Sequence, residues 1–188
     1  MKKTAALLLA LGFVFAAGAA DEAKETVLLD KKFGTDYRWG KVVYIHGAKG
    51  LKDPEEIKAL AAVSYDDKGA VLETDEKLNT MKDGSGRKIY LSNNLTRSVN
   101  LPENAGEKNF IMSFDIEGKG NVELIAVVRG KKGDTSFVPK TFSLWLPAGN
   151  RIHTLKKKLP GGAASVVCFC RLCTPGRIVV KSVRISLL

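Results

Sequence analysis

The sequence predicts an all-β protein, an antiparallel β-sandwich with one short helix. Three observations carry this expectation. Phe110, Met112, Phe114 and Ile116 fall on one face of a segment, and Ser113, Asp115 and Glu117 on the other, the period-two pattern of a half-buried strand. The segment from Arg177 to Leu188 is dense in β-branched residues and closes the domain. Between and before them lie about ten short strand candidates broken by Gly, Pro and Asp turn signals, which suits a sandwich or barrel rather than an α/β enzyme.

Taken in order, Val27 to Phe33 is a short apolar run suited to a first strand, and Lys41 to His46 is a second, after the loop Gly34 to Gly40. Asp53-Pro54-Glu55-Glu56 opens the helix candidate, with Asp53 as cap and Pro54 in the first turn, running to about Ala61. Val63 to Glu73 reads as a hairpin turning at Asp67-Lys68-Gly69. Asp83 to Gly86 is a loop, and Arg87 to Leu91 and Thr96 to Leu101 are two further strands, the second stopped by Pro102. Val122 to Arg129 is apolar on both faces, as in a central strand covered on both sides. Thr141 to Leu146 alternates, with Phe142, Leu144 and Leu146 inward and Thr141, Ser143 and Trp145 outward. Ile152 to Leu155, Ala164 to Cys173 and Ile178 to Leu188 complete the set.

Lys2 and Lys3, the apolar run Ala5 to Ala17, and the small residues Ala17 to Ala20 before Asp21-Glu22 form the three-part pattern of a secretory signal peptide. The run is shorter than the ~20 residues needed to cross a bilayer. Residues 1–20 are therefore expected to be removed, leaving residues 21–188 as one exported, periplasmic or secreted domain without a membrane span. The formal net charge of the whole chain is +10. In an exported protein such charge suits anionic glycans or envelope phosphates rather than nucleic acid, or a solvated basic surface with no partner.

All three cysteines lie in Cys168-Phe169-Cys170-Arg171-Leu172-Cys173. On a strand, Cys168 and Cys170 stand about 6.5 Å apart on one face, too far for an unstrained disulfide. Buried thiols, one strained or intermolecular disulfide, and a metal site all remain open. A metal would need a further ligand, with His46 and His153 as the only histidines.

Four places resemble the galactose-binding-like jelly-roll domains of bacterial carbohydrate-binding modules: Leu28 to Phe33 with Trp39, Ser98 to Pro102 before Asn109 to Gly120, Thr141 to Pro147, and Gly176 to Ile185. The resemblance spans most of residues 27–188 and implies a jelly-roll β-sandwich. Many such modules hold a structural calcium through acids near the first and closing strands. Here the closing positions are Lys181-Ser182, so no calcium site of that kind, and no cofactor, is expected.

The leading functional reading is a non-catalytic glycan-binding domain for anionic or neutral glycans. Its candidate ligand-binding residues are Trp145 with Ser143 and Thr141 on an open sheet face, the early-loop cluster Tyr37, Arg38 and Trp39, and Arg129 as a source of charge beside Lys131-Lys132. Each tryptophan has a structural alternative: Trp145 packed under a loop or the helix, and Trp39 plugging the sandwich. A second functional reading is an envelope structural or protein–protein interaction module. No Gly-x-Ser-x-Gly elbow, His-Glu-x-x-His or phosphate loop is present. Asp115 and Glu117 share a strand face as a glycosidase pair would, but acidic pairs on exposed faces are ordinary. Cys173 with His153 suggests a nucleophile pair of a kind that arises by accident wherever a histidine falls near cysteines. Paired carboxylates in general are a spatial matter that the sequence leaves open.

Overall fold

A computed structural model describes residues 24–46, 54–82, 85–88 and 90–188. The secretory pattern of residues 1–20, the Asp53 cap and part of the loop at 83–86 lie outside these residues. Eleven strands build two antiparallel sheets. The first runs β3 (Ala61–Asp66), β4 (Gly69–Thr74), β11 (Gly176–Leu187), β6 (Asn109–Lys119) and β9 (Arg151–Lys158), with β1 (Thr26–Lys32) also on β11. The second runs β2 (Gly40–His46), β5 (Tyr90–Asn100), β10 (Ser165–Leu172), β7 (Asn121–Arg129) and β8 (Lys140–Pro147).

Strand β11 organises the first sheet. One edge pairs with β4 through residues 176–180 and with β1 through residues 182–187, while the other edge pairs with β6 along its length. The register shifts between Val180 and Ser182, a bulge that changes partners on one side. Gly118 of β6 lies at φ 129°, and a Cβ there would stand 2.3 Å from the Arg177 carbonyl oxygen, so only glycine fits beside β11.

The alternating faces meet between the sheets. Phe110, Met112, Phe114 and Ile116 of β6 and Val122, Leu124, Ala126 and Val128 of β7 are fully buried, as are Val166, Cys168, Cys170 and Leu172 of β10. Cys168 and Cys170 are thus free core thiols, and burial raises both above the ordinary thiol range. At the edge of the first sheet, β9 ends in exposed Lys156, Lys157 and Lys158, whose charge opposes pairing with another strand.

Three elements differ from the sequence expectation. The helix is one turn, Pro54–Lys58, because Ala61 and Ala62 pair with Thr74 and Glu73 in β3 instead. Sheet pairing there overrides the helical preference of alanine. Ile57, with Leu78 of a short 3-10 helix (Glu76–Thr80) and Leu91, forms a small second core against Val43 and Ile45.

The two strands expected at 87–91 and 96–101 are one, β5. The Asn93-Asn94 pair does not break it, because the amide nitrogen of each side chain finds backbone carbonyls. Asn93 Nδ2 donates to the carbonyls of Ala62 (2.6 Å) and Glu73 (3.1 Å), tying the second sheet to the first. Asn94 Nδ2 donates to the carbonyls of Val42 and Ser92, both at 2.9 Å. Lastly, β7 is central in its sheet but has a facing layer on one side only. On its outward face Glu123 and Ile125 are each 6% exposed, shielded by side chains of neighbouring strands rather than by another sheet.

Candidate functional site

The outward face of the second sheet can be read rung by rung. In β8, parity directs Phe142, Leu144 and Leu146 inward and leaves Thr141, Ser143 and Trp145 outside. Trp145 stands opposite Glu123, Glu123 opposite Arg171, and Arg171 opposite Asn94. One rung therefore crosses four strands, about 14 Å at the usual strand spacing. The next rung carries Ser143, Ile125, Phe169 and Thr96, and the one after it Thr141, Val127, Val167 and Ser98. In these last two rungs an apolar centre lies between two polar margins.

Around Trp145 the polar groups form a chain. Asn94 accepts from Arg171 Nε at 2.7 Å, and Arg171 Nη1 donates to Glu123 Oε2 at 3.0 Å. The Arg171 and Glu123 side chains are 18% and 8% exposed, so this ion pair is shielded from solvent screening. Asn94 and Ser92 are buried too. Trp145, by contrast, is 58% exposed, and Tyr90 and Tyr44 on the same face are also open.

Trp145, Glu123, Arg171, Ser92, Tyr90, Leu91 and Cys173 line a cleft of about 350 Å³. Burial, reinforced by the Glu123 carboxylate, pushes the Cys173 thiol up to about 12, so it is not a thiolate nucleophile at neutral pH. His153 points between the sheets, 3% exposed, on the far side of the core from the outward face that carries the cleft. The imagined Cys173–His153 pair is therefore not assembled.

The early-loop residues are placed differently. Trp39 is 4% exposed and packs edge-on against Phe33 and Phe114, with centroids 5.5 and 5.6 Å away. Its Nε1 donates to the Tyr37 hydroxyl at 2.9 Å, and its backbone N–H and C=O both bond the Tyr65 hydroxyl. Trp39 thus corrects the ligand-face expectation: it fills the space between the sheets, where the loop crosses from β1 to β2. Tyr37 and Arg38 are engaged with protein, Tyr37 under the Arg97 guanidinium and Arg38 over the Tyr65 ring. Arg129 is exposed on the same outward face as Trp145, but six residues along β7 from Glu123, about 20 Å away.

Several of the remaining acids are held in ion pairs. Arg184 binds Asp30 and Glu25, and Lys181 binds Glu117 at 2.7 Å. Asp115 and Glu117 therefore sit beside Lys181 on the opposite sheet, away from the Trp145 cleft. Among the described residues, no group of three or more His, Cys, Asp or Glu could hold a metal ion. A larger opening of about 800 Å³ lies between the 3-10 helix and the β10–β11 turn, bordered by Glu73, Asp75, Glu76, Lys119 and Arg177. It presents no aromatic face.

Arg171, Glu123 and Asn94 were not singled out by sequence reading. One signal was present. Glu123 and Arg171 are lone charges of opposite sign inside otherwise apolar strands, Val122 to Val128 and Val166 to Leu172.

The architecture defines the class: an antiparallel, jelly-roll-type β-sandwich with an open aromatic and polar sheet face. No protein-family model matches the chain, and no curated protein does. Among solved structures, the chain is similar to the ligand-free CBM1 of BiXyn10A, at 15% identity over 85% of this chain and 96% of that one, TM-score 0.46. It is also similar to the CBM22-1–GH10 structure of Clostridium thermocellum xylanase Xyn10B with xylohexaose, at 11% identity and TM-score 0.44. That match covers 86% of this chain and 28% of the other. A third, TmCBM61 with β-1,4-galactotriose, matches at 16% identity over 72% of this chain and 95% of that one, TM-score 0.33. The likeness concerns the sandwich alone and assigns no ligand to this chain.

Proposed function

We propose that this chain is an exported, non-catalytic glycan-binding domain whose site is the Trp145 face of the second sheet. The observation that carries this is Trp145 itself, an indole left 58% exposed at the edge of a cleft of shielded hydrogen-bonding groups. Sugars present C–H faces that stack on aromatic rings and hydroxyls that both donate and accept. A flat apolar ring beside Arg171, Glu123 and Ser92 supplies both halves of that recognition. Ser143 and Thr141 extend the polar margin along β8. Export is supported by the Lys2-Lys3 start and the apolar run that follows.

An interaction module would favour a contiguous apolar patch. The exposed aliphatic side chains Val27, Val138 and Ile152 lie instead apart, on β1, in the loop before β8 and on β9. The exposed rings that do share a face, Tyr44, Tyr90 and Trp145, are interleaved with polar groups. The test is a glycan array followed by calorimetry with Trp145→Ala. Binding should persist at high salt and fall at least tenfold in the variant. A bound glycan whose affinity ignores Trp145 would move the site elsewhere, and an array without any bound glycan would end the reading.

A further inference from the structure

We infer that the site takes an uncharged sugar against Trp145, and that Glu123 sets this choice by cancelling the charge of Arg171. This inference rests on the glycan-binding reading above. It runs against the charge of the chain, since a formal net charge of +10 would by itself favour uronic or sulfated glycans.

The geometry of the rung argues otherwise. A lone arginine in a cleft is a fork for a carboxylate, with two parallel donors. Arg171 is not free in that sense. Its Nε is taken by Asn94 Oδ1, and its Nη1 by Glu123 Oε2. A sugar carboxylate arriving at Arg171 would meet the Glu123 carboxylate at nearly the same distance. Attraction and repulsion would then offset, while the arriving anion would still lose its hydration. Among the described residues lining the cleft, Arg171 and Glu123 are the only charged groups. At the rim, the Lys88 ammonium lies 5.8 Å over the Tyr90 ring. Arg129 and Lys131 are elsewhere, Lys131 paired with Glu103.

What remains suits hydroxyl groups. Three of the five Arg171 N–H donors, and Glu123 Oε1 as acceptor, have no partner among the described residues. A donor and an acceptor side by side match two neighbouring hydroxyls, one accepting and the other donating. Trp145, next to Glu123 in register, takes the adjoining ring face. Glu123 acts here through Arg171 as well as directly, as a specificity-determining residue.

The experiment compares matched neutral and uronic-acid oligosaccharides by calorimetry, at about 0.05 and 0.5 M salt, on the wild-type chain and Glu123→Gln. Glutamine keeps the shape of the side chain and its hydrogen bond to Arg171 but releases the guanidinium charge. Wild type should prefer the neutral member of each pair, with affinity little changed by salt. Glu123→Gln should move the acidic-to-neutral affinity ratio roughly tenfold toward the acid, a 1.4 kcal/mol change. That gain should shrink at the higher salt concentration. Wild-type preference for uronic acids would overturn the inference while leaving glycan binding intact. So would an unchanged ratio in a Glu123→Gln protein that melts like wild type. If that variant melts early, wild-type selectivity and its salt dependence decide the matter alone. Failure of every glycan, neutral and acidic, would overturn both readings together.

Discussion

Asn93 offers the sharpest test of how the two sheets are held together. Its side chain is fully buried, and Nδ2 bonds the carbonyls of Ala62 and Glu73 on the facing sheet. Asn93→Ala removes two hydrogen bonds with a net worth of about 1 kcal/mol each and leaves two carbonyls to find new partners in a shielded place. The small cavity adds to this, so a loss of about 3 kcal/mol is expected. For a domain of this size that is a fall of roughly 6–12 °C in Tm. Urea unfolding followed by tryptophan fluorescence would measure it, with the midpoint dropping and the m-value unchanged. Asn93 Oδ1 has no hydrogen-bond partner among the described residues, so the hydrogen-bond share of the loss is assigned to the amide nitrogen. A loss under about 0.5 kcal/mol would refute the reasoning and reduce Asn93 to a spectator in β5.

Other predictions are independent of this one. Burial, and then the nearby Arg151 guanidinium, hold the His153 imidazole below its ordinary range. As pH falls, the unfolded chain takes up this proton before the folded one does. The stability due to neutral His153 is therefore complete above about pH 6.5 and lost progressively below it. His153→Leu should flatten the fall of the urea midpoint between about pH 7 and 5, and an unchanged pH profile would count against this. The Cys168, Cys170 and Cys173 thiols should resist a disulfide exchange reagent at about pH 8 until urea opens the fold, then react together. Rapid labelling of one thiol in the native protein would contradict that order. Gly118→Ala should cost 2 kcal/mol or more, because its Cβ meets the Arg177 carbonyl at a φ that alanine avoids. A melting temperature within about 2 °C of wild type would show that β11 yields there.

Much of the scaffold is legible locally because its information is local. Phe110, Met112, Phe114 and Ile116 declare the face of β6 through a period that any half-buried strand must show, and Trp145 is placed outward by the same parity. Trp39 carried no such signal. It lies in a loop, where no repeat fixes side-chain direction, and its place is set by Phe33, Phe114 and Tyr37 from three segments. The Asn93-Asn94 pair reads as a break until the carbonyls of Ala62, Glu73 and Val42 are brought near. The polar rung is harder still. Arg171 and Glu123 are 48 residues apart, and Arg171 and Asn94 are 77 apart. Their meeting depends on strand order in the second sheet, which no short stretch of sequence encodes.

The central seat of β11 has a consequence for when this protein acquires its shape. Strands β1, β4 and β6 all take their partner from residues 176–187, so the first sheet has no middle while only the earlier strands exist. A ribosome that has delivered β1 through β10 has delivered every strand of the second sheet, but a first sheet without the strand that joins its parts. Such distant pairing makes folding slow, on the millisecond-to-second scale. On the export route proposed above that delay is an advantage: β11 is the latch of the first sheet, whose parts stay unjoined until it arrives.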